Sequence, residues 1–293
     1  MYELVRNCIA NFGGASLDSR VNFLNRMTTL DKITKLGRYF LAIPMIVFGI
    51  QHFLYAEFIV HLVPAWIPAR LFWTYAAGFA LSASGIGIII NVLSRIASIL
   101  LGLMISIWVV VLHIPRAFQL PGDAEFINVF NAVFMLSGAF LLSATLPPKD
   151  HLQSVAALAV RLSPFLISMA LFVFGIEIFI HGEMIFIVGG PPSEIPGGVL
   201  FIYLTGIVFV AAAITIIFTK RVKVTAACVG LYILFITILF YAPQLLKDVY
   251  QAHTWATFLK GIAMSGSSLI LSRVAAQKQA SDVTEQSVQV ENV

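Results

Sequence analysis

Between Arg70 and Arg95 the chain carries no charged residue. The same holds between Glu125 and Lys149, between Glu194 and Lys220, and between Lys223 and Lys247. A hydrocarbon layer ~30 Å thick is crossed by a helix of ~20 such residues. No water is available there, so every backbone N–H and C=O must be paired within the protein. A helix does this inside one segment. A barrel strand would need alternating apolar and polar positions, and these runs do not alternate. Composition agrees: 59% of residues are hydrophobic and 11% charged, against roughly 25% charged in a soluble domain. The mean hydropathy is +0.94.

The pattern predicts eight spans, near 37–58, 70–91, 95–114, 125–146, 163–182, 197–219, 223–242 and 254–273. Breaker residues separate them: Pro64 and Pro68, Asn91 to Arg95, Pro115 to Gly122, Pro147-Pro148, Gly189 to Pro196, Lys220-Arg221 and Pro243.

The chain also repeats itself. Phe48-Gly49-Ile50-Gln51-His52-Phe53 returns as Phe174-Gly175-Ile176-Glu177-Ile178-Phe179, and Glu57 returns as Glu183. After one two-residue insertion, Tyr75 matches Tyr203, Gly78 matches Gly206, Gly102-Leu103 matches Gly230-Leu231, and Pro115 matches Pro243. The expected fold is therefore an all-α integral membrane protein, its eight transmembrane helices arranged as two parallel four-helix-bundle repeats over 37–147 and 160–273. Four spans per copy is an even number, so both copies run in one sense, related by a pseudo-twofold along the membrane normal.

Lys and Arg set the orientation. Of the 18, only Arg70, Arg116, Lys247 and Lys260 fall on one side of the expected topology. The crowded side is cytoplasmic, which puts both termini inside and the protein in the plasma (inner) membrane. The net charge of +4 thus belongs to the lipid bilayer as partner and implies no nucleic acid. Residues 1–36 are basic, with Val21, Leu24, Met27 and Leu30 among the charges; they read as a cytoplasmic leader lying on anionic lipid. Residues 274–293 read as a polar, unstructured cytoplasmic tail. No short apolar h-region opens the chain, so no cleaved signal peptide is expected. Cys8 and Cys228 form no metal or disulfide framework.

Ionisable groups within spans are costly and mark function. They gather toward the outer face. Gln51, His52 and Tyr55 lie on the first span, with Glu57 following. His113 closes the third. Glu177 and His181 on the fifth are spaced i, i+4, so a carboxylate can orient an imidazole. His52 is matched by apolar Ile178 in the second copy, which favours one asymmetric site. These seven residues are the ligand-binding candidates. His52 and His113 are also the candidates for haem or metal, although no diagnostic spacing joins them. No HExxH, P-loop, GxSxG or CxxCH motif is present.

Gly49-Ile50-Gln51-His52-Phe53, Val63-Pro64-Ala65-Trp66-Ile67-Pro68, Tyr75 with Gly78, Arg95, and His113-Ile114-Pro115 together resemble the DoxX-like membrane proteins. The resemblance covers 36–147 and extends more weakly to 160–273. It implies a four-helix unit and an association with quinone-dependent or other membrane redox chemistry. The expectations that follow are a redox-associated protein that binds a quinone or similar apolar ligand, with other membrane redox subunits as partners. The alternatives are a proton-coupled transporter using Glu177, a haem protein, or a scaffold subunit without catalysis.

Overall fold

A computed structural model of the chain describes residues 29–119, 123–146, 153–182, 198–247 and 252–291. The chain divides into Met1–Ile33 and Thr34–Val293. Of the first unit only the helical residues 29–33 are described, and the leader proper lies outside the described residues.

The larger unit is helical, with no strand among the described residues. Its helices are α1 Gly37–Leu54, α2 Ala56–Ile59, α3 Arg70–Ile89, α4 Ser94–Trp108, α5 Ile114–Gln119, α6 Asp123–Ala144, α7 Gln153–His181, α8 Gly198–Phe218, α9 Val222–Lys247 and α10 Ala252–Glu291. Val60–Leu62 is a 3-10 turn, and Val109–His113 is a π turn joining α4 to α5. Among the described residues seven helical segments are long and apolar enough to cross a membrane, α4 counting together with the π turn and α5; α10 is not among them.

The reason lies in burial. Between Thr254 and Val274 most of α10 is buried, including Ser265, Ser267, Ser268 and Ser272. A helix that faces other helices needs small residues for close contact, not lipid-soluble ones. The neighbours of α10 are α9, α1 and α6. Around this centre α1 packs on α3, α3 on α4, α4 on α6, α6 on α7, α7 on α8, and α8 on α9. The first and second halves therefore share walls: α10 leans on α1, and α6 leans on α7.

Close crossings carry the packing. A Cβ on Gly49 would fall 2.5 Å from the Gly78 carbonyl oxygen, and one on Gly78 2.9 Å from that of Gly49. Gly175 and Gly206 meet in the same way, at 2.9 and 3.3 Å. Beside each crossing an aromatic pair stacks: Phe53 on Tyr75 at 5.6 Å, and Phe179 on Tyr203 at 6.0 Å. Phe134 of α6 and Phe174 of α7, both fully buried, stack at 6.4 Å.

Two arginines cap helix ends, where the last carbonyls have no partner in their own helix. Arg38 donates to the carbonyls of Ile88 and Ile89 at the end of α3. Buried Arg95 donates from Nε to the Ser143 carbonyl at 2.9 Å, at the end of α6. The prominence of Arg95 in the sequence thus has a structural cause.

Three expectations are corrected. Pro115 and Pro243 do not end helices: the chain stays helical through Pro115 to Gln119 and through Pro243 to Lys247. Neighbouring helices and local π geometry accommodate proline in such segments. The first span stops early, at Leu54, because Tyr55 leaves the helical region at φ −116° and ψ 32°. The tail from 274 is not irregular: α10 runs on to Glu291. Ala275, Ala276, Gln277, Lys278, Gln279 and Ala280 are good helix formers that extend a helix already nucleated by packing, and Gln279 donates to the Lys220 carbonyl.

Candidate functional site

The end of α1 meets the end of α4, and the starts of α6 and α10 meet each other. His52 sits on the last turn of α1. Its Nδ1 lies 2.7 Å from the Phe48 carbonyl oxygen. A carbonyl only accepts, so Nδ1 carries the proton and, in the neutral ring, Nε2 is left as acceptor. The imidazole lies over the Trp108 indole of α4, with centroids 6.1 Å apart and planes 16° from parallel. Helix α3 passes close to the base of the side chain, where a Cβ at Gly78 would come within 2.7 Å of the His52 Cβ. Residues of three helices therefore surround His52. Gln51 beside it is buried at 9% exposure, Tyr55 is half-buried, and Glu57 is exposed on α2.

Trp108 is the last residue before the π turn, and His113 is the last residue in it. In an α-helix, residues five apart point about 140° away from each other. The i→i+5 bonding of a π turn swings position 113 back toward the face of position 108. The corresponding stretch of the second half lies within the regular α9, so this widening is particular to the first half.

Half-buried His113 lies in the field of Lys260, Glu125 and Arg116. Arg116 of α5 grips Glu125 of α6 with Nη2 to Oε1 at 2.8 Å and Nε to Oε2 at 3.5 Å. Lys260 of α10 donates to Oδ1 of Asn128, one turn along α6, at 3.1 Å. This network joins the end of the first half's third span, the start of its fourth, and the start of the second half's last helix. Nothing in the sequence pattern joins these residues: Arg116 and Lys260 read there only as outer charges, and Asn128 carries no signal. The signal for Lys260 was its position inside an expected span, where a lysine needs a partner.

On α7, His181 Nδ1 lies 2.8 Å from Glu177 Oε2, the i, i+4 pairing anticipated from spacing. Glu177 is mostly buried and His181 about one-third exposed. Glu183, Glu194 and His151 lie outside the described residues, as do the surroundings of the His253 side chain. His61 is exposed. Among the described residues no three His, Cys, Asp or Glu side chains converge as metal ligands would. The seven candidates therefore divide. Gln51 and His52 share one turn of α1 with Tyr55 at its C-cap, Glu177 and His181 pair on α7, Glu57 stands apart, and His113 lies in the field of the Arg116–Glu125–Lys260 network.

Comparison with protein-family models, with curated proteins and with solved structures finds no match to this chain.

Proposed function

We propose that this protein is an inner-membrane protein of eight transmembrane helices in two parallel repeats, and that its first half binds a quinone-like ring near the outer face. The observation that carries the proposal is the commitment of His52 Nδ1 to the Phe48 carbonyl. It presents Nε2 as an acceptor beside the flat face of Trp108. A hydroquinone hydroxyl donates to Nε2, and an aromatic ring stacks on aromatic neighbours. The second half has Ile178 at the matching position, so one site per chain is expected. The resemblance to DoxX-like proteins adds to this reading. The reading requires a partner redox subunit or a cofactor to carry the electrons.

The repeat reading is supported by the paired crossings Gly49–Gly78 and Gly175–Gly206, each with its stacked Phe–Tyr pair. The membrane topology follows from the distribution of Lys and Arg, with both termini cytoplasmic. Purification in mild detergent followed by mass spectrometry of extracted lipids tests the binding. Quinone should co-purify at about one per chain and be depleted in His52→Ile. Equal quinone in both preparations contradicts the proposal.

A second reading rests on Glu177 and His181. A mostly buried carboxylate against an imidazole at 2.8 Å is a proton-exchanging pair of the kind that drives coupled transport. Proton uptake by proteoliposomes that is unchanged in Glu177→Gln removes it.

A further inference from the structure

At the far end of α6 an open surface hollow of about 480 Å³ lies between α6, α7 and α10. Ala144, Ala156, Ala157 and Val160 form its walls, and Arg161 and Lys278 complete it. No acidic side chain lines it. Neither Arg161 nor Lys278 forms an ion pair among the described residues. Two cations from different helices facing one cavity repel each other unless an anion lies between them.

Position along the membrane normal identifies the level. Lys278 follows Lys260 on the same helix by five turns, which is ~27 Å along its axis. That is close to the ~30 Å hydrocarbon thickness. With Lys260 at one face, the cavity falls at the headgroup level of the opposite face. Its alanine walls leave room for the glycerol and ester portion of a lipid, and its cations suit a phosphate.

We infer that the cavity formed by Ala144, Ala156, Ala157, Val160, Arg161 and Lys278 binds the phosphate headgroup of an anionic phospholipid. The inference does not depend on the quinone site, which lies at the other end. Both cations are exposed on helix surfaces, so their neutral variants keep the packed core.

Native mass spectrometry of the full chain, released from detergent with added lipid, tests this. The probes are phosphatidylglycerol, zwitterionic phosphatidylcholine and inorganic phosphate, applied to wild type and to Arg161→Gln/Lys278→Gln. Each cation near a membrane surface contributes about fivefold to the binding of an anionic lipid, so the double variant should bind phosphatidylglycerol about thirtyfold more weakly. Its phosphatidylcholine binding should be unchanged. Matching thermal unfolding of the two proteins without added lipid establishes that the variant is folded. Equal retention of phosphatidylglycerol by both proteins overturns the inference. So does displacement of phosphatidylglycerol by inorganic phosphate at equal concentration, which marks a small-anion site instead.

Discussion

Gly138 of α6 lies against Ser267 of α10 so closely that a Cβ on the glycine would fall inside the serine side chain and 2.8 Å from its Cα. The two helices that close the two halves therefore meet through a pair of small residues. Both helices are more buried than their neighbours, and both donate residues to the charged network at the far end. Gly138→Ala should destabilise the protein by about 1–3 kcal/mol, the range for overpacking a tight contact. Ser267→Gly should cost less. The double variant should recover part of the loss, and thermal unfolding of all four proteins closes the cycle. Strict additivity would mean that the two residues do not touch.

Glu125 is the acid of the network that includes Arg116 and Lys260. Replacing it with Gln leaves two cations without a carboxylate. Glu125→Gln should therefore cost about 1–3 kcal/mol, more than Arg116→Gln, which leaves Glu125 with Lys260 nearby. Unfolding in a fixed detergent measures both. A larger loss in Arg116→Gln would show that Lys260 is balanced by another group.

The tautomer of His52 gives ligand binding a pH sign. With Nδ1 donating to Phe48, a neutral ring accepts at Nε2, and a protonated ring donates there. Binding of decylubiquinol should weaken as the pH falls and His52 takes up its proton. Oxidised decylubiquinone, whose carbonyls only accept, should follow the opposite trend. An affinity ratio that does not change with pH, measured by isothermal titration, would exclude His52 from contact with the ring.

Local spacing made much of this readable. Seven long apolar helices correspond to charge-poor runs, and the Glu177–His181 contact follows from i, i+4 geometry on one helix. What stayed hidden depended on relations that no local window contains. Lys260 and Asn128 lie on helices from opposite halves, and only the tertiary fold brings them to 3.1 Å. The π turn that ends at His113 leaves no compositional mark, and Pro115, a breaker by composition, lies in the helical turn that follows it. The central helix α10 falls short of the other spans in hydropathy because its serines, threonines and glycines suit helix contact better than lipid. After Val274 polar composition suggests irregular chain, but its alanines and glutamines favour helix.

The most direct measurement uses Trp108 as its own reporter. A chain carrying Trp66→Phe, Trp73→Phe and Trp255→Phe keeps Trp108 as its sole tryptophan, and quinones quench indole emission on contact. In nanodiscs, decylubiquinone should quench it along a saturating curve, and His52→Ile should weaken the apparent affinity about fivefold, the worth of one hydrogen bond of ~1 kcal/mol. Quenching that rises linearly with quinone and is identical in His52→Ile would reflect partition into lipid alone, and would contradict a binding site at His52 and Trp108.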